Sequence, residues 1–277
     1  MKQRQPSSAR LGLPVTGTRA SGEQGPSAVI VLSYAYSGAA RVQETLATDT
    51  TMACTTATGI LPLCETAAET WKRIDGGGQS MSRLAIASVR ALIAAQMTAI
   101  LAGTGKTRWC ELATTTSAAE SFVRIVPNAG IVCVHRSSLD MIRAGVRANP
   151  WGLHRLGLLP YIFSHPGNSI GALAAYWADS TEQLLALEAS SPDSTYRIRF
   201  EDVMANPTHA LATVRASLDL YDEPCDGPLP QAANSSGPAT TDSPLPDPGM
   251  LTELIPQPLR ERISHLHVAL GYPPIAS

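Results

Sequence analysis

Lysine is scarce in this chain of 277 residues: Lys2, Lys72 and Lys106 are the full set, so 18 of its 21 cations are arginine. Any mechanism that rests on a lysine therefore has three candidates at most. Charge of either sign is also scarce, at 16% against the usual quarter of a globular chain. The formal net charge of −2 excludes a large basic surface for nucleic acid. Aromatic residues, at 5%, are too few for a base-stacking platform. The five cysteines are odd in number and lack both CxxC and metal-ligand spacing. They read as reduced thiols of a cytoplasmic protein, not as a disulfide framework or a zinc site, and no metal is expected. His265 and His267 stand two apart on a predicted helix, so they do not share a face. No signal peptide is visible, because the apolar stretch at 11–15 is short and holds Gly12 and Pro14. The longest apolar run, residues 84–101, carries Arg90 and Gln96 near its middle. A charge there is costly in a bilayer, so the run is expected to be a buried helix and the protein to need no membrane.

What is present is an alternation. Residues 1–27 are rich in Ser, Gly, Pro and Gln and read as a flexible leader, which leaves 28–277 as one domain. Residues 28–34, AVIVLSY, suit a buried parallel strand, and a helix is predicted from Ala39 to Ala47. A second strand is predicted at 60–63 and a third at 109–112, with the long helix of 80–101 between them. Residues 131–135, IVCVH, are the clearest further core strand, and 196–200 the last. Helices are predicted at 117–126, 139–148, 169–189, 207–218 and 258–270. Residues 222–248 are rich in Pro, Ser, Gly and Thr, a composition that suits a long loop or lid. Strands alternating with helices predict a parallel α/β sheet, in which ligands sit beyond the carboxyl ends of the strands.

The first strand, turn and helix, VIVLSYAYSGAARVQETLA, place exposed backbone N–H groups at a helix start, a device that binds phosphate or sulfate. No GxxxxGK[ST] is present. Gly103 to Thr107 looks like the end of one, but it follows a helix, so it reads as a helix stop. The missing Walker lysine leaves a P-loop kinase as the weakest of three readings.

Taken together, the segments resemble the sulfotransferase family that uses 3′-phosphoadenosine 5′-phosphosulfate (PAPS). The likeness runs from about Ala28 to Tyr272 and rests on six motifs in order. The opening loop, cation-Ser-Gly-Thr-Thr in the family, stands here as Tyr36-Ser37-Gly38-Ala39-Ala40. An acidic residue after the second strand stands as Glu65 in ILPLCET, and the Trp-x-Glu segment as Trp109-Cys110-Glu111. Pro127, Ala129 and Arg136 follow, then a tryptophan helix around Trp177, then Arg199-Phe200-Glu201-Asp202 with Pro207. SHLHVALGYPP resembles the family's closing helix.

The resemblance implies a three-layer α/β sandwich around a central parallel sheet, the P-loop NTPase-like sulfotransferase fold. It also implies a transferase that moves a sulfuryl group from PAPS to a small-molecule hydroxyl. Residues Tyr36 to Arg41 would hold the 5′-phosphosulfate and Arg136 the 3′-phosphate, with Glu65 or Glu111 as base. Trp151, His154, Tyr161 and His165 are candidates to line the acceptor pocket. The Ala- and Arg-rich composition suits a GC-rich bacterial genome, where a natural-product acceptor fits. The sequence leaves homo-oligomerisation open.

The departures bear on mechanism. The loop cation is replaced by Tyr36, the two threonines by Ala39 and Ala40, the lysine after Glu111 by Leu112, and the serine that shares the 3′-phosphate by Ala144. Loss of one donor aimed at developing charge can cost about 10²–10³ in rate. Arg41 is the candidate substitute. A second reading keeps the fold and drops the PAPS chemistry, leaving the pocket to another acid–base reaction or to ligand binding alone. Two ion-pair roles compete with catalysis: Glu111 with Arg108 or Arg136, and Arg136 with Asp140.

Overall fold

The computed structural model describes residues 28–74, 79–126, 129–149, 152–153, 156–217 and 247–275. The elements in chain order begin β1 (Ala28–Leu32), α1 (Ala39–Leu46), β2 (Met52–Thr55), α2 (Ile60–Ile74) and α3 (Gln79–Thr104). Next come β3 (Arg108–Ala113), α4 (Thr116–Ile125), β4 (Gly130–His135), α5 (Ser138–Ala148), α6 (Leu159–Ser164) and α7 (Ser169–Ser190). The chain closes with β5 (Thr195–Arg199), α8 (Phe200–Ala205), α9 (Pro207–Ser217), α10 (Pro248–Leu254) and α11 (Gln257–Ala269). The predicted leader, residues 1–27, and most of the predicted lid, 222–246, lie outside the described residues.

All four strand pairings are parallel, in the order β2-β3-β1-β4-β5. The central strands β1 and β4 are buried along their whole length. That is why they read as unbroken apolar runs and not as alternations. Alternate side chains feed two cores. Val29, Val31, Val132 and Val134 meet Val42 and Leu46 of α1 and Val203 of α8. Ile30, Leu32, Ile131 and Cys133 meet α2, α4, α5, α7 and α11 on the other face. From β1 the chain moves outward to β2 through α1, then returns through α2 and α3 to β3 and crosses to β4 through α4. The direction of winding reverses around β1, which opens a crevice at its carboxyl end.

Two expectations are corrected. Residues 60–63 are the first turn of α2, not a strand. Pro62 would remove a ladder donor from a strand, but at the third helical position its missing N–H costs nothing. Ile60, Leu61, Cys64 and Ala68 are buried at helical spacing, and the Ile60 N–H donates to Thr58 Oγ1. The edge strand is instead β2, whose MACT sequence is too short and too weakly apolar to stand out. The second correction is α3, which is a helix but is not buried. Among residues 83–104 only Ile93 and Met97, one turn apart, are fully inside, while Leu84 is 63% and Leu92 54% exposed. Helix α3 lies along the β2 edge against α2 and α4. Within Arg83–Thr104 a window of 18 residues reaches a mean hydropathy of 1.8, so the helix is long and apolar enough to cross a membrane by length and composition.

Candidate functional site

The β1–α1 loop is held from below. Ser33 Oγ donates to the Val134 carbonyl at 2.9 Å, fixing β1 to β4 at their carboxyl ends. Tyr34 is buried, and its hydroxyl donates to the Arg136 carbonyl at 3.0 Å while accepting from the Arg136 N–H at 3.0 Å. The Ala35 N–H donates to Tyr176 Oη at 2.9 Å. Tyr36 and Gly38 take φ of 65° and 87°, the left-handed region. A Cβ on Gly38 would stand 2.2 Å from the Phe200 ring, so glycine is needed for space as well as for conformation. Ser37, Gly38, Ala39 and Ala40 thus form the turn into α1, whose first N–H groups face the crevice end of the sheet.

Arg136 follows β4 and lies against this loop. Its Nη1 donates to the Tyr36 carbonyl at 2.8 Å, and its guanidinium stacks over Phe200 at 4.5 Å from the ring centroid. Its Nε is buried with no hydrogen-bond partner. Burial pushes the pKa of Arg136 down, and the charges of Asp140 and Glu201 oppose that shift. Among the described residues no carboxylate lies within ion-pair distance of it, so the expected alternatives of Asp140 or Glu111 as partner are not formed. A half-buried guanidinium with an unused donor beside a helix start is a geometry that suits an anion.

The rest of the motif set is scaffold around Arg136. Trp177 Nε1 donates to the Arg136 carbonyl at 2.8 Å. Glu201 accepts from the Ser137 N–H at 2.8 Å and from Tyr272 Oη at 2.7 Å, tying the start of α5 to the chain's closing segment. Ser138 and His267 pair at 2.8 Å, and His267 Nδ1 meets the Pro273 carbonyl at 2.8 Å. His135 is fully buried on the helix-layer side of β4, at 2.7 Å from Glu188. That is the face its alternation with Arg136 predicts.

On the β3 side of the loop a cavity of about 550 Å³ opens at the ends of β1 and β3. Tyr34, Tyr161 and Tyr176 form its aromatic wall, and Thr114, Ser180 and Gln183 supply its polar groups.

With this geometry in place, comparison with known proteins is informative. Residues 29–224 match the model of the family described as "Sulfotransferase family". The chain belongs to the sulfotransferase family. The fold agrees with the sulfotransferase domain of the curacin biosynthetic pathway: 15% identity, TM-score 0.57, 90% of this chain and 99% of that one covered. The sulfotransferase domain of the Synechococcus PCC 7002 olefin synthase matches at 14% identity and TM-score 0.50, covering 91% and 97%. No curated protein sequence matches the chain.

Within this member of the sulfotransferase family, the sequence-predicted residues separate into groups. Tyr36 to Ala40 and Arg136 come together at the loop. Ala144 is half-buried on α5, beside Gly145, where the Tyr36 ring and Leu173 pack. Tyr36 is fixed there, with its hydroxyl accepting from Asn149 Nδ2 at 2.7 Å. Arg41 does not stand in for the missing cation, because it pairs with Glu44 on the outer face of α1 at 2.9 Å. Lys106 is at the opposite end of the sheet, bonded to the Asp49 carbonyl, and Gly105, at φ 67°, ends α3 as a helix stop.

Glu111 faces the helix layer from β3 and is only 2% exposed. It accepts from the Thr58 N–H at 3.2 Å and, in a short bond, from the Thr58 hydroxyl. Burial raises its pKa, and the Thr58 bonds offset part of that rise. Glu65 is not beyond a strand but in the second turn of α2, half-buried. Tyr161 lines the cavity beside the loop, while His165 caps α6 with its Nδ1 turned to the Tyr161 carbonyl at 3.1 Å. Trp151 and His154 lie outside the described residues. Sequence reasoning missed Tyr176, Ser180 and Gln183. Their spacing of four and three residues on α7 is the signal that places them on one face.

Proposed function

We propose that this chain binds PAPS at the β1–α1 loop and transfers its sulfuryl group to the hydroxyl of a small molecule. The observation that carries the reading is Arg136, a half-buried guanidinium whose buried Nε has no hydrogen-bond partner, beside the start of α1. It fits a phosphate of the donor, and the N–H groups of Gly38 and Ala40, left over when those of Ser37, Ala39 and Arg41 bond within the turn, fit a second anion. Bound PAPS supplies an activated sulfuryl group; the chain's own tasks are to hold the phosphates and to accept the acceptor's proton. For the second task we assign Glu111, whose raised pKa suits a general base better than an ordinary carboxylate's does. Thr58 donates its hydroxyl proton to Glu111, so it can take the acceptor's proton and pass its own to the carboxylate. The curacin biosynthetic setting of one structural neighbour, with a composition that suits a GC-rich bacterial genome, supports a natural-product acceptor, and the free thiols of Cys54, Cys64, Cys110 and Cys133 support a cytoplasmic location.

A second reading keeps donor-site binding and drops the transfer. It is favoured by the loop itself, where Tyr36 replaces the cation and Arg41 is engaged by Glu44. Incubation with PAPS and a panel of alcohols and phenols, following release of adenosine 3′,5′-bisphosphate by chromatography, separates the two. Acceptor-dependent release that falls at least tenfold in Glu111→Gln supports transfer. Binding of the bisphosphate without any release supports the second reading.

A further inference from the structure

Two cysteines stand side by side at the β2 edge of the sheet. Cys54 of β2 and Cys110 of β3 are register partners in the parallel pairing of those strands. Both side chains point to the α1 face: Cys110 is buried in the core that α1 covers, and Cys54 packs against that same core. Neighbouring strands lie about 4.7–4.9 Å apart, and disulfide-bonded Cα atoms about 4.4–6.8 Å, so the backbone is already within reach of a bond. The two thiols share a hydrogen bond. Gln43 of α1 clamps the pair: its carbonyl accepts from Cys54 Sγ at 3.6 Å, and its Nε2 donates to the carbonyls of Thr55 at 2.9 Å and Cys110 at 3.5 Å. The two sulfurs are not equivalent. Cys54 is half-buried, whereas Cys110 is fully buried. The hydrogen bond from Cys110 lowers the pKa of Cys54 against the effect of burial, and the same bond together with burial raises that of Cys110. Burial pushes the Cys64 thiol up to about 12 and raises Cys133 as well. A reachable thiol of lowered pKa beside a second thiol is the arrangement of a redox-active pair.

We infer that Cys54 and Cys110 are a site of reversible oxidation, joined by hydrogen peroxide into an intramolecular disulfide, with Cys54 as the attacking and Cys110 as the resolving thiol. The Cys54 thiolate attacks one peroxide oxygen, the O–O bond breaks, and hydroxide leaves and takes up the proton that the thiol gave to solvent. Cys110 Sγ then attacks the sulfenic acid sulfur, the S–S bond forms and the S–O bond breaks. Its proton leaves with the oxygen as water. The two thiols together lose two electrons and two protons, and one peroxide becomes two waters. A transient bond of this kind is the form in which disulfides occur in a reducing cytoplasm. The next register pair after the two cysteines is Thr55 and Glu111, so the bond lies beside Glu111. Its formation is read from the sulfurs alone and does not rest on the sulfuryl-transfer reading.

The test is exposure of the reduced, folded full chain to equimolar hydrogen peroxide, followed by alkylation in denaturant and peptide mass spectrometry. The wild-type chain is expected to become lighter by two hydrogen atoms and to yield a peptide that links Cys54 to Cys110, which dithiothreitol separates. Cys64 and Cys133 are expected to be alkylated in full. Cys225→Ser is expected to leave the link in place. In Cys110→Ser, Cys54 is expected to stop at the sulfenic acid, trapped by dimedone, and in Cys54→Ser the Cys110 thiol is expected to survive the peroxide. The wild-type result stands without the variants, so a variant that fails to fold does not blunt the test. No linked peptide in the wild-type chain, a link from either cysteine to another partner, or oxidation of Cys64 and Cys133 as fast as that of Cys54 overturns the inference. A link formed in a chain that never turns over PAPS supports the inference and removes only the transfer reading.

Discussion

Arg136 could be picked out as a candidate anion ligand because it directly follows the clearest core strand, and a strand end in a parallel sheet is where ligands sit. Its surroundings were not legible: the Tyr36 carbonyl that holds it is 100 residues away, and Phe200 beneath it comes from the far edge of the sheet. Glu111 shows the same division. Its place near a strand end could be read, but its partner Thr58 lies 53 residues upstream in a turn whose strand was misplaced. The Glu111 carboxyl has its pKa raised by folding, so its protonated form is favoured in the folded state. A raised carboxyl adds stability at pH below its unfolded value and loses it as pH rises through the folded value. Glu111→Gln is therefore expected to leave Tm unchanged or higher at pH 8, with the advantage over wild type shrinking as pH falls towards 4. Thermal melts at the two pH values check this. A variant more stable yet inactive would mark Glu111 as a residue kept for function.

At the scale of elements, apolar runs located β1 and β4 because both faces of those strands are covered. The same rule failed at α3, where hydropathy shows a helix but not what lies on it. Burial there depends on neighbours that no local pattern encodes. The consequence is a contrast between adjacent residues. Ile93→Ala is expected to cost about 2–4 kcal/mol, and Leu92→Lys no more than about 0.5 kcal/mol, because only Ile93 is inside. Urea unfolding of the two variants measures both. The β1–α1 turn carries a sharper demand. Gly38→Ala meets a positive φ and the Phe200 ring together and is expected to cost about 2 kcal/mol or more. Adding Phe200→Leu should recover part of that loss by relieving the contact, leaving the backbone strain.

For the molecule as a whole, the alternation of strands and helices gave the parallel α/β class, and the ordered motifs gave the family. The spatial order β2-β3-β1-β4-β5 follows from the way the crossovers pack on the two faces, and no segment shows that by itself. The composition takes on a definite meaning in this setting. A chain with three lysines has none of them among the described residues at the β1–α1 loop, and the half-buried arginine there, Arg136, has an unused donor. The central claim is that this arginine holds a phosphate of the nucleotide donor. Isothermal titration calorimetry with adenosine 3′,5′-bisphosphate tests it most directly. Micromolar binding to the wild-type chain that is lost in Arg136→Ala, with the variant's fold intact by circular dichroism, is the result expected. No heat at millimolar nucleotide, or equal binding by both proteins, would contradict it.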